Sequence, residues 1–195
     1  DYNGLVVHQR AHGKSRGKYL SMGIKERRDC RMCVDFLLSR YPNAQILLYG
    51  VSMGAATVLM SAALGQPNAL KGIIADCGYT SPCAIIKTVL RKRHYPVFPL
   101  YALIYLGCLL FGGFRLDSAS AAEAMDKCDI PVLFIHGTDD RVVPFDMSLE
   151  NYRRCRCPEK ALLSVPGDGH GMSYMADTPK YLETVSSFIK KVLAR

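Results

Sequence analysis

Short apolar runs alternate with helical patterns from one end of this chain to the other, and that alternation limits the folds open to it. Leu5–His8, Gln45–Gly50, Gly72–Asp76, Pro131–His136 and Ala161–Val165 each read as a strand. Helical patterns cover Ile24–Arg40, Met53–Leu64, a short stretch near Ala121–Asp126, and Pro144–Arg154. A last helix puts Tyr181, Leu182, Val185, Phe188, Ile189, Val192 and Leu193 on one face. Tyr41-Pro42-Asn43 closes the first helix, because proline disfavours helix in the residue before it, and Gly65 with Pro67 closes the second. Near-continuously apolar strands joined by helices predict an α/β fold, a mostly parallel sheet with helices on both faces. At 195 residues, the whole of 1–195 is expected to form one domain.

The interval from about 80 to 120 interrupts the alternation. Tyr95–Phe114 holds no Asp, Glu, Lys, Arg or His and is long enough to span a bilayer. It is also broken by Pro96, Pro99, Gly107, Gly112 and Gly113, and the strands flanking it belong to one sheet, on one side of any membrane. A helical lid insertion is therefore expected, with its surface a candidate for peripheral membrane contact. Oligomeric state is left open.

Twenty-five Lys and Arg against 17 Asp and Glu give a formal charge of +8, which raises nucleic acid or an anionic surface as a partner. The cations come as short clusters: Arg27, Arg28 and Arg31; Arg91, Lys92 and Arg93; Arg153, Arg154 and Arg156. No aromatic residues are interleaved as stacking platforms, so no nucleic-acid partner is expected and the clusters read as solvated faces. Eight cysteines are too sparse for a disulfide scaffold. Cys30 and Cys33 share a helical stripe with Val34, Leu37, Leu38 and Tyr41, and they read with Cys155 and Cys157 as packing residues. A reducing, cytoplasmic compartment is expected, with membrane anchoring open if a segment precedes the chain. No metal and no cofactor is implied.

The chemistry starts at Gly50-Val51-Ser52-Met53-Gly54, a G-x-S-x-G pattern directly between a predicted strand and a predicted helix. Such a turn is sharp enough to strain the serine backbone, and Gly50 and Gly54 give it room. It lifts the Ser52 hydroxyl above the sheet edge and puts the Met53 backbone N–H at a helix N-terminus, a donor for a developing oxyanion. A serine hydroxyl needs a base, and the base needs an orienting acid. Of His8, His12, His94, His136 and His170, the last is favoured because it lies in the loop Pro166–Gly171, between the last strand and the last helix. His136, at a strand end before Gly137, reads as a turn-stabilising residue. Asp140 is the first candidate acid, with Asp139 its nearest rival and Asp76 a third. Ser52, Asp140 and His170 run in the order nucleophile, acid, base, each after a successive strand.

These stretches resemble the α/β hydrolases, in the branch of small serine esterases, monoacylglycerol-lipase-like and serine-aminopeptidase-like enzymes. Arg10-Ala11-His12-Gly13-Lys14-Ser15 is similar to R-G-H-G-x-S. His136-Gly137-Thr138-Asp139-Asp140-Arg141-Val142-Val143-Pro144 is similar to H-G-x-x-D-x-x-V-P, and it puts the acid on Asp140. The resemblance implies a serine hydrolase cleaving carboxylic esters through Ser52, His170 and Asp140. The apolar lid (Tyr95, Phe98, Leu100, Tyr101, Ile104, Tyr105, Leu109, Phe111) points to a small-molecule ester with an apolar acyl or aromatic part, or equally to side chains that pack the lid onto the domain or form a dimer contact. Peptidase or thioesterase action on the same triad, and a non-catalytic binding protein on the same fold, are the alternatives. Ala11 stands where the family has glycine. The family's second oxyanion donor comes from a loop before the Arg10 segment, where only nine residues stand here, so the chain is expected to be the C-terminal part of a longer protein.

Overall fold

The computed structural model describes residues 2–167 and 169–194. Four strands, β1 (Ile46–Val51), β2 (Leu70–Asp76), β3 (Val132–Gly137) and β4 (Lys160–Val165), pair in chain order into one parallel sheet. Adjacent strand residues face opposite ways, and both ways are buried. Ile73, Ala75, Val132 and Phe134 join one core; Ile74, Leu133, Ile135, Leu163 and Val165 join a second. This double burial is why the strands read as unbroken apolar runs.

The helices are α1 (Glu26–Arg40), α2 (Met53–Ser61), α3 (Pro82–Lys92), α4 (Val97–Gly107), α5 (Ala121–Met125), α6 (Phe145–Arg154), α7 (Ser173–Ala176) and α8 (Thr178–Leu193). The connections α2, α5 and α6 supply Ala55, Ala56, Leu59, Ala121, Met125 and Met147 to the first core. On the other face, α8 contributes Tyr181, Phe188 and Val192 to the second. Small residues at Ala55 and Ala56, both fully buried, let α2 lie close against the strands. A wider turn (Cys108–Gly112) extends α4, so residues 82–112 form the helical interruption between β2 and α5. No helix among the described residues is long and apolar enough to cross a membrane.

Leu5–His8 forms no strand, and Leu5, Val6 and Val7 are exposed. A strand exists only where a ladder satisfies its backbone, and among the described residues β1 pairs with β2 alone. The leading segment is instead tied by a bidentate ion pair from Arg10 to Asp29 of α1, at 2.6 and 2.5 Å, and by Gln9 to Thr57 of α2. Tyr41 is exposed and leaves the α1 stripe, because the backbone has already quit helical geometry there (φ −134°, ψ 76°). Cys155 and Cys157 are buried in the first core, Cys30 packs against it, and all eight cysteines are free thiols.

Ala11 sits at φ +58°, the left-handed region in which a Cβ meets the following carbonyl. Ala11→Gly relieves that contact and gives back part of the gain as unfolded-chain entropy. The variant is expected to be more stable by about 0.5–1 kcal/mol in urea unfolding.

Candidate functional site

At the carboxyl end of β1 the chain turns straight into α2 through Ser52, whose backbone is held at φ +54°, ψ −116°. The Ser52 N–H donates to the Asp76 carbonyl at the end of β2 (2.8 Å), and its carbonyl accepts from the Ala56 N–H, so both neighbours fix the turn. A Cβ at Gly50 would lie 2.3 Å from the Gly54 carbonyl carbon, so glycine is required there. Gly54 differs: a Cβ on it meets nothing within 4 Å, because only its backbone is approached. Met53 supplies the first N–H of α2, one of the donors that a helix leaves without a partner inside itself.

The imidazole of His170 accepts from the Ser52 hydroxyl at Nε2 (2.8 Å) and donates from Nδ1 to Asp140 Oδ2 (2.7 Å). Glycines at positive φ on either side, Gly167 (+67°) and Gly171 (+70°), let the short loop double back over the sheet edge. Asp168 of that loop lies outside the described residues. Two backbone N–H groups, Val142 (2.7 Å) and Val143 (3.0 Å), donate to Asp140 Oδ1.

His136, read from sequence as a turn residue, adds a fourth donor. It is fully buried, and its Nε2 faces both Asp140 Oδ2 (3.1 Å) and the Val143 carbonyl (3.0 Å). Two acceptors at Nε2 put the proton there, leaving Nδ1 to accept from Ser148 (2.6 Å). Burial pushes the His136 pKa down, against the raising pull of Val143 and Asp140. Burial pushes the Asp140 carboxyl up, but the hydrogen bonds from His170, Val142 and Val143 outweigh it and leave the pKa lowered.

The rival acids have other surroundings. Asp139 is exposed. Asp76 is buried and accepts from Tyr181 (3.1 Å) and Ser173 (3.4 Å), which tie α8 and α7 to the end of β2. Of the remaining histidines, the His12 ring meets the Arg10 carbonyl, the His8 ring meets the Lys14 N–H, and His94 is exposed. An open cleft of about 310 Å³ beside His170 is lined by Asp139, Arg141, Val142, Gly167 and Gly169.

Residues 14–195 match the prolyl oligopeptidase family. The chain belongs to that family. It is 32% identical to the Bacillus subtilis protein YqkD over 190 residues, which is 96% of this chain and 62% of YqkD. Among solved structures it superposes on the Pyrococcus furiosus esterase Pf2001 with a TM-score of 0.71 and 25% identity, covering 94% of this chain and 68% of that one. The Pyrococcus horikoshii acylaminoacyl peptidase shares the fold at a TM-score of 0.64 and 17% identity, over 89% of this chain and 29% of that one. The α/β-hydrolase fold is thereby established, and the chain spans less than two thirds of YqkD.

This prolyl oligopeptidase family member also carries a thiol that sequence reasoning passed over. Cys77, one residue beyond β2 and at φ +50°, is buried beside the site. Its sulfur and ligand atoms of Asp140 and His170 lie within 4.8 Å of one another, a set able to hold a soft divalent cation. Such an ion would compete with the Asp140–His170 hydrogen bond. It would block the imidazole rather than assist it.

Two measurements probe this geometry. Gly50→Ala drives a Cβ into backbone that has nowhere to move, so a loss of about 3 kcal/mol or more in unfolding free energy is expected. A lowered histidine pKa in the folded state gives stability that is complete above the unfolded value of about 6.5 and is lost as pH falls toward the folded value. The melting temperature should therefore fall as the pH drops below about 6.5, and His136→Gln should flatten that fall. The depressed Asp140 carboxyl adds its own loss only below about pH 4.

Proposed function

We propose that the chain is a serine hydrolase that cleaves carboxylic esters through an acyl-enzyme. The observation that carries the reading is the unbroken hydrogen-bond series from Ser52 through His170 to Asp140, at 2.8 and 2.7 Å. His170 takes the hydroxyl proton as Ser52 Oγ attacks the ester carbonyl, and Asp140 holds the tautomer that leaves Nε2 free to receive it. The Met53 N–H donates to the tetrahedral oxyanion, aided by the positive end of α2. Collapse expels the alcohol, which takes its proton from His170. A water molecule, deprotonated by the same imidazole, then releases the acid and frees Ser52.

Residues 82–112 act as a lid in this reading. Their exposed apolar side chains favour a small-molecule substrate with an acyl chain or aromatic group, and peripheral contact with lipid. The likeness to the Pyrococcus furiosus esterase supports ester over peptide cleavage. Free thiols throughout fit a reducing compartment such as the cytoplasm.

A fluorophosphonate probe is expected to label the folded protein at Ser52 and to leave Ser52→Ala unlabelled. Equal labelling of both would overturn the mechanism. Against a series of p-nitrophenyl esters, kcat/KM should rise from acetyl to medium acyl chains and exceed the rate on peptidyl p-nitroanilides. Ser52→Ala should lower kcat by at least about 10⁴, and Asp140→Asn by about 10⁴ through the wrong imidazole tautomer.

A further inference from the structure

The helical segment between β2 and α5 presents a run of apolar side chains to solvent. Helix α4 has no buried residue although nearly every position is apolar. Phe98 is 82% exposed, Leu110 65% and Phe111 73%, and Leu103, Leu106 and Leu109 are exposed beside them. A helix apolar all round is ordinarily enclosed by protein or by lipid. Tyr101 and Tyr105 mark its protein side: Lys87 lies over the Tyr101 ring at 4.5 Å, and the Tyr105 hydroxyl donates to Asp117 at 2.9 Å. At 100° per residue, Leu103 and Leu106 fall on the side away from both tyrosines.

Charge selects what covers this face. From residue 77 to 116 the sequence has Lys87, Arg91, Lys92, Arg93 and Arg115 and not one Asp or Glu. Arg115 pairs with Asp117, just past the segment, and the other two clusters each have a member met by a carboxylate: Arg154 by Asp126, Arg156 by Asp129, Arg31 by Asp35. Among the described residues no carboxylate pairs with Arg91, Lys92 or Arg93. Arg91, Lys92 and Arg93 stand exposed at the turn that leads into α4. Exposed apolar side chains with cations alongside match the boundary between anionic headgroups and acyl chains. Length excludes spanning. The 11 residues of α4 and the 5 of the turn after it reach about 24 Å at 1.5 Å per residue, short of a hydrocarbon core of about 30 Å.

We infer that this face docks on an anionic lipid surface, with α4 and Cys108–Gly112 lying in the interface and Arg91, Lys92 and Arg93 on the headgroups. The docked face is joined to the cleft: the Lys92 ammonium donates to the Arg141 carbonyl at 2.9 Å, and Arg141 lines the hollow beside His170. Substrate then arrives from the lipid side, a consequence that rests on the esterase reading of that cleft.

The test is co-sedimentation of Ser52→Ala protein with phosphatidylcholine vesicles, with and without phosphatidylserine. Partition is expected to be at least about ten-fold stronger onto the anionic vesicles and to fall steeply with added salt. Replacing Arg91, Lys92 and Arg93 together by Gln should weaken it by about 10². Leu110→Ser with Phe111→Ser, exposed positions that leave the fold intact by thermal melt, should weaken it by about ten-fold or more. Equal partition onto both vesicle types, no partition, or a triple-Gln protein that binds like its parent would overturn the inference. So would a dimer that Phe111→Ser abolishes and vesicles do not displace, since a second copy would then own the face. Hydrolysis is measured separately on the parent protein: sedimentation without esterase activity supports the docking and defeats only the esterase reading.

Discussion

One carboxylate holds the carboxyl edge of the sheet together. Asp140 is buried, and an unpaired charge at such a place would cost several kcal/mol. Four donors meet it instead: His136 from β3, His170 from the loop after β4, and the Val142 and Val143 N–H groups of its own loop. Each removes part of the desolvation cost, and each is fixed in return. Because Asp140 draws the proton of His170 to Nδ1, the other nitrogen is left as an acceptor facing Ser52. The orientation of the serine hydroxyl is thus decided two hydrogen bonds away, in the connection between β3 and α6.

Much of this arrangement is legible in the sequence because local geometry demands it. The chain passes from strand to helix through Ser52 alone, held at positive φ, and Gly50 marks where the two backbones touch. Gly54 carries no such message on its own, since its Cβ direction is open. His136 is harder to read. It ends an apolar strand, where a histidine looks like turn chemistry, and its partner four residues on is reached by a loop rather than by helical spacing. Asp76 is harder still. At the end of β2 it is well placed to serve as the acid, but Tyr181 and Ser173, about a hundred residues further along, claim its oxygens. Leu5–His8 fails for the complementary reason: an apolar run records a preference for extended backbone, and only a neighbouring ladder turns that preference into a strand.

The 77–116 segment shows what apolarity in a sequence leaves undetermined. The same leucines and phenylalanines would read identically in a buried core helix, because composition registers hydrophobicity and not the direction in which it is satisfied. The distribution of charge supplies the missing information. A helix destined for the protein interior gains nothing from flanking cations, whereas a face that meets anionic headgroups gains from every one of them and loses with each carboxylate. The absence of Asp and Glu from all of 77–116 is in this light a property of the surface that the segment forms.

Two nucleophilic side chains, Ser52 and Cys77, lie close to one imidazole, and electrostatics separates them. Sulfur is the stronger nucleophile once ionised, so the choice falls on which group can lose its proton. Burial, and after it the charge of Asp76, pushes the Cys77 thiol up to about 12. At pH 7 that leaves roughly one thiolate in 10⁵. In the ester hydrolysis proposed above, Ser52 would need no standing anion, because its proton would pass to His170 only as the new bond forms. Asp140 would therefore act twice: it would stabilise the cation that His170 becomes in the proposed reaction, and together with Asp76 it keeps the neighbouring sulfur protonated.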